Sequence, residues 1–229
     1  LSLHDALPIL PVNPCKKVKR MGNSDSRSLN FWTLDEYKQF IQTMEPGTRY
    51  YLMFEMLFWT GCRIGELLAI TKADINFEKN QLSINKTYYR TGMQDIITEP
   101  KTKQSFRTIE IPEFLKEEIK EFVDGHYGMP DTERLFPVVQ EAVQHKMKRQ
   151  IELAGVKKIR VHDLRHSHVA YLIEKGVEPL LIRDRLGHKD IRITLNTYGH
   201  LYPNQQRKIA NLLDNENAVT GSGEERDEC

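Results

Sequence analysis

The apolar residues of this chain change their spacing twice, and that change limits the folds open to it. In "NFWTLDEYKQFIQTM" the apolar positions Leu34, Tyr37, Phe40, Ile41 and Met44 recur at helical intervals behind a capping box of Thr33 and Glu36. A strongly apolar helix follows at roughly 48–60 and ends at Gly61. "RIGELLAI" (63–70) reads as a short helix with Leu67, Leu68 and Ile70 inward. The period then drops to two. "INFEKNQLSINKTYY" and "SFRTIEIP" read as strands, with turns at Lys79–Asn80 and around Pro100–Lys103. From Glu113 helical spacing returns over about 113–124, 139–154, 162–175, 179–186, 190–197 and 204–214, with Gly155 and Gly176 placed as C-terminal caps. The pattern predicts a mainly α domain with one small antiparallel sheet inserted early, an α+β fold.

Both ends fall outside that pattern. Residues 1–29 hold no sustained period and include the proline-rich "ALPILPVNP", so they read as a linker or tail remnant. The opening "LSLHDALPIL" need not be native sequence, and the missing initiator Met suggests an internal fragment. Residues 215–229 read as a flexible acidic tail, leaving 30–214 as the domain. The last 19 residues carry six acids against one base, so a net charge of +1 conceals a body near +6. Basic runs at "KKVKR" (16–20) and "KMKRQ…KKIR" (146–160) permit a polyanionic partner, although such runs are more often solvated surface. The longest apolar window, "YLMFEMLFWTGC" at 51–62, is too short to span a membrane. Cys15, Cys62 and Cys229 are far apart, which argues against a disulfide scaffold or a cysteine zinc site and fits a reducing cytoplasm.

Several residues could carry chemistry. Arg63 opens a helix after "TGC", where free backbone N–H groups point, and could clamp a phosphate; it could equally be a surface arginine paired with Glu66. Lys101 and Lys103 sit at a turn ahead of a strand with Ile109 and Ile111 inward, where a lysine can reach out as a proton donor or a phosphate contact, though turns are commonly lysine-rich. In "HDLRHSH", His162, Arg165 and His166 share a helix face. A metal pair of His162 and His166 is disfavoured by Asp163 standing where a longer Glu would act as base, and by the fixed charge of Arg165; an imidazole beside an arginine suits gripping and protonating a phosphate instead. His188 follows Gly187 just past a helix end, and Tyr198 lies on its own short helix, as a core aromatic or as a nucleophile.

Taken in order, Arg63, Lys101, His162-x-x-Arg165, Gly187-His188 and Tyr198, in the contexts "TGCRIGELLAI", "HDLRHSHVAYLIEKG" and "LGHKDIRITLNTYGHL", closely resemble the signature of tyrosine recombinases, the integrases of phages and conjugative transposons. The resemblance covers roughly residues 30–212. It implies that fold, with an N-terminal DNA-binding domain missing except for its trailing linker. It also implies site-specific breakage and rejoining of double-stranded DNA through a 3′-phosphotyrosyl bond, without ATP, metal or other cofactor. Tyr198 would be the nucleophile. Arg63 and Arg165 would bind the non-bridging oxygens, and His188 would add a donor. Lys101, rather than Lys103, would protonate the leaving 5′-oxygen, and His162 would relay the tyrosine proton. Tyr202, the rival nucleophile, precedes Pro203 and falls outside the matching stretch. Implied partners are attachment-site DNA, a homotetramer on that DNA and an accessory excision factor, in the cytoplasm of a bacterium beside the nucleoid. Two other readings stand beside this one: a DNA-binding fragment with weak catalysis, and a type IB topoisomerase.

Overall fold

The computed structural model describes residues 30–99, 105–126, 128–202, 210–211 and 213–215. Helix α1 (Leu34–Ile41) begins with the expected capping box. Thr33 Oγ1 accepts the Glu36 N–H, and the Glu36 carboxylate accepts the Thr33 N–H. Two donors that a helix start would leave orphaned are thereby met. Helix α2 (Arg49–Thr60) is apolar nearly all round, and accordingly it is buried all round, from Leu52 to Phe58. Tyr37 of α1 stacks on Phe58 of α2, with ring centroids 3.7 Å apart.

Helix α3 (Ile64–Leu67) is shorter than its apolar pattern predicts. The Ile70 carbonyl accepts the Leu135 N–H at 2.9 Å and Thr71 bridges Arg134, so the chain leaves the helix to pair with a distant segment. Leu67, Leu68 and Ile70 are nevertheless inward, as their spacing requires.

Strands β1 (Ile75–Asn76), β2 (Gln81–Ile84) and β5 (Arg107–Glu110) form an antiparallel sheet in the order β1-β2-β5. Leu82 lies opposite Ile109, and both are buried. Among the described residues, strands β3 (Thr87–Thr91) and β4 (Gln94–Thr98) pair only with each other. The described residues therefore hold two small antiparallel sheets where the sequence pattern gave one. The sequence does not mark strand β4, because Ile96 and Ile97 are adjacent on a mostly exposed hairpin and show no period of two.

Helices α4 (Glu113–Asp124), α5 (Gln140–Ala154), α6 (Asp163–Glu174), α7 (Pro179–Leu186) and α8 (Ile191–Tyr198) follow, each within a residue or two of expectation. Of the expected helix at 204–214, positions 210, 211, 213 and 214 are described, and they are helical. Lys101, Lys103 and the segments assigned to linker and most of the acidic tail lie outside the described residues. A large apolar core runs from Trp32 to Leu164. A second, small one joins Val169, Ile173, Ile182, Leu186 and Tyr198.

Gly61 caps α2 in the left-handed region, with φ 67°. A Cβ there would stand 2.6 Å from His168 Cδ2 and 3.2 Å from Leu186 Cδ2. The His168 ring cannot swing aside readily, because it is buried and its Nε2 accepts the Arg185 Nε–H at 3.1 Å. Gly61→Ala is expected to destabilise the domain by about 2–3 kcal/mol, from backbone strain plus overpacking. Thermal unfolding followed by circular dichroism would register this as a fall of several degrees.

Candidate active site

Three helix ends converge on one buried arginine. Arg165, in the first turn of α6, is 3% exposed. Its Nη1 donates to the Gly61 carbonyl beyond α2, and its Nη2 to the Leu186 carbonyl at the end of α7, both at 2.8 Å. Two of its five N–H groups are thus committed to backbone. Burial lowers its pKa to about 9, with the charges of Arg63 and Arg107 acting in the same sense, so it stays cationic at neutral pH.

Arg63 caps α3 and sits on the chain two residues beyond Gly61. Its Nη1 donates to Glu66 Oε1 at 2.8 Å, so the helix-turn pairing considered from sequence is present, and yet its side chain remains 41% exposed. Glu66 is shared. Arg107 of β5 donates to it from Nη1 at 3.1 Å and from Nη2 at 2.8 Å, while the Arg107 Nε–H reaches the Arg185 carbonyl. Burial alone would raise the Glu66 carboxyl, but the hydrogen bonds and charge of Arg107, with the charge of Arg63, hold it at about 2.

That depressed value fixes a pH dependence. The folded-state pKa lies below the ordinary value of 4.5, so the stabilisation is fully present above pH 4.5 and is lost as pH falls toward 2. The shift corresponds to about 3 kcal/mol. Glu66→Gln should therefore be less stable than the native chain at pH 7 by up to about that amount. Denaturant melts across the acid range should show the gap closing below pH 4.5.

His188 follows the left-handed cap Gly187, and its Nδ1 lies 2.9 Å from Thr194 Oγ1. Burial, then Arg165, Arg63 and Arg107, lower its pKa to about 4, which makes the ring neutral at pH 7. Tyr198 ends α8 and is 2% exposed. Its hydroxyl lies 2.6 Å from Nδ1 of His166. Burial raises the phenol to about 12, although Arg165 and Arg63 pull the other way. His162 meets His166 edge-on, with centroids 5.2 Å apart, and burial together with Arg165 lowers its pKa. The imidazole on the tyrosine hydroxyl is thus that of His166, not that of His162. The Tyr202 hydroxyl is buried with no hydrogen-bond partner among the described residues.

Two grooves reach this cluster. One, about 630 Å³, touches it at His162 and carries Lys148, Lys158 and Arg160. The other, about 830 Å³, touches it at Arg107 and His188 and carries Arg183, Arg185 and Lys189 against Glu110 and Asp184. Arginines flanked by basic grooves suit a polyanion whose charge grows during reaction. Among the described residues no three His, Cys, Asp or Glu side chains are gathered as metal ligands would be. No helix among them is long and apolar enough to cross a membrane.

The sequence profile of the Phage integrase family matches residues 30–205. The chain belongs to that family. It is 33% identical over 220 residues to the ICEBs1 integrase of Bacillus subtilis, which covers 90% of this chain and 60% of that protein. It is 28% identical over 236 residues to a XerC-like tyrosine recombinase of Caldanaerobacter subterraneus, with the same coverage. The chain thus spans about 60% of the length of these curated relatives. Its fold matches the Tn1549 transposon integrase in complex with a circular intermediate DNA, with a TM-score of 0.70, at 21% identity and covering 85% of this chain and 68% of that one. The catalytic domain of bacteriophage HP1 integrase matches with a TM-score of 0.54, at 18% identity over 80% of this chain and 93% of that one. The tyrosine recombinase resemblance and the mainly α fold with small antiparallel sheets are therefore established for this integrase-family domain.

Within it, Arg63, His162, Arg165, His188 and Tyr198 come from four separate elements into one charged neighbourhood. Arg107 and Glu66 belong to it as well, and neither was singled out for chemistry from sequence. Arg107 occupies an ordinary polar position of a strand, so only the placement of β5 beside α3 reveals it.

Proposed function

We propose that this domain is the catalytic part of a site-specific recombinase that integrates and excises a mobile element. It breaks and rejoins double-stranded DNA through a 3′-phosphotyrosyl intermediate. The observation that carries the reading is the tyrosine hydroxyl held by an imidazole within the field of two arginines, Arg63 and Arg165. Tyr198 attacks the scissile phosphate. Arg63 and Arg165 donate to the non-bridging oxygens as charge builds in the pentacoordinate state. With Thr194 donating to Nδ1 of His188, the Nε2–H of that ring supplies a further donor. His162 assists as an acid–base group at the edge of the site, and Lys101, with Lys103 as its competitor, protonates the leaving 5′-oxygen.

The integrase-family membership, the basic grooves and the DNA bound to the related Tn1549 enzyme support double-stranded attachment-site DNA as substrate. A homotetramer on that DNA, an accessory excision factor, and action at the nucleoid in a bacterial cytoplasm complete the proposal. The test is covalent trapping of the full chain on a nicked duplex that carries the junctions flanking its coding sequence, run beside a two-site plasmid assay. An adduct with exchange of two sites supports the recombinase. Supercoil relaxation without junction products points to a type IB topoisomerase, and retention on DNA without adduct points to a binding module.

A further inference from the structure

His166 touches the hydroxyl on which the proposed reaction depends. Its Nδ1 lies 2.6 Å from Tyr198 Oη, with the two rings tilted at 54°. On the far side of the ring, Nε2 faces Asp163 Oδ1 at 4.0 Å. That carboxylate is itself fixed: the Arg160 backbone N–H donates to Oδ2 and the Arg160 Nη2 to Oδ1, both at 2.8 Å. A neutral imidazole keeps its single hydrogen on the nitrogen nearer negative charge. Nε2 therefore carries the proton, and the Nδ1 lone pair accepts the phenol. At 4.0 Å the carboxylate is too distant for a hydrogen bond, so Asp163 acts on the ring through its field. Carboxylate, imidazole and hydroxyl follow one another as in a nucleophile–base–orienter triad, with a phenol in place of an alcohol.

We propose that His166 is the general base for Tyr198 and that Asp163 is its positioning residue. The proposal rests on the recombinase reading above. As Oη closes on the phosphorus, its proton passes to Nδ1. The Oη–P bond forms, the P–O5′ bond breaks, and the 5′-oxygen takes a proton from the cationic donor assigned to Lys101. The new imidazolium faces Asp163. In rejoining, a 5′-hydroxyl attacks phosphorus and gives its proton to that same amine, while His166 returns its proton to the departing phenolate.

The surroundings explain why a base is required and why this one is in the right state. A phenol raised to about 12 is ionised in only about one molecule in 10⁵ at pH 7. The ring that must accept its proton is neutral there. Burial, then the neighbouring His162, Arg165 and Arg160, lower His166 to about 4 against the opposing pull of Asp163. Arrival of an anionic phosphodiester between Arg63 and Arg165 adds negative charge beside the ring and raises its basicity when attack begins. His162 stands one ring removed from the hydroxyl.

The test uses the full chain on the nicked duplex described above. His166→Ala should slow adduct formation about a hundredfold with DNA binding unchanged. Its rate should climb with pH toward phenol ionisation, and added imidazole should restore part of it. His166→Gln keeps an acceptor near Oη but takes no proton, so it should be as slow as the alanine variant. Asp163→Asn should move the acid limb of the native pH profile downward, since the charge that raises the ring is gone. A fast Gln variant, or an alanine variant with the native pH profile and no response to imidazole, overturns the proposal while leaving the recombinase reading intact. Absence of any adduct from the native chain sinks both. In DNA-free protein, the ¹⁵N shift of His166 Nδ1 should change in Tyr198→Phe, and an unchanged shift also removes the base.

Discussion

Tyr198→Phe should leave no covalent protein–DNA adduct while binding DNA as the native chain does. The substitution removes one oxygen and keeps the ring that packs with Val169, Ile173, Ile182 and Leu186 in the smaller core. The loss of stability should therefore stay within about 1–3 kcal/mol, the cost of leaving the part-buried Nδ1 of His166 without its partner. No phosphate contact is lost, because the proposed contacts belong to Arg63, Arg165 and His188. Tyr202 is the only neighbour of the same chemistry considered from sequence, and its hydroxyl is buried. The measurement pairs trapping on a nicked duplex with a binding titration at fixed salt, since phosphate contacts make affinity salt-dependent. A protease-sensitive adduct from the Phe variant would falsify the nucleophile assignment.

What could be read in advance follows from how local each signal is. The capping box at Thr33 and Glu36, the helix after it, and the inward faces of Ile109 and Ile111 depend on residues a few positions apart, and they appear as expected. The hairpin of β3 and β4 does not, because its outward Ile97 breaks the alternation that burial would impose. The order of Arg63, His162, Arg165, His188 and Tyr198 along the chain marked a candidate site, but the roles proposed for them depend on contacts across long separations. His166 lies 32 positions from the tyrosine it holds, and Arg107 lies 41 from the Glu66 it shares with Arg63. From sequence, the histidine beside Arg165 is weighed for a metal and for a phosphate. In space it meets a phenol.

The two arginines should separate under the same substitution. Lysine brings one point charge and no paired fork, so Arg63→Lys and Arg165→Lys should each slow cleavage by about a hundredfold, near 3 kcal/mol of lost transition-state stabilisation. Their effects on stability should differ. The Arg63 side chain is 41% exposed and its one described partner is Glu66, to which a lysine can also bond. Thermal stability should then stay close to native. Arg165 is 3% exposed and spans two backbone carbonyls, those of Gly61 and Leu186, which no single ammonium on a flexible stem can reach with the same geometry. One buried acceptor left unpaired costs about 1–3 kcal/mol, so Arg165→Lys should also melt several degrees lower. Because those carbonyls fix the end of α2 against the end of α7, the same variant should misplace Arg63 and His188 together. A double variant, Arg63→Lys with Arg165→Lys, should then lose less than the product of the two single losses. Trapping rates and melting curves on the three proteins check this. Multiplying effects, or an Arg165→Lys domain as stable as the native one, would show that Arg165 does not tie the site together.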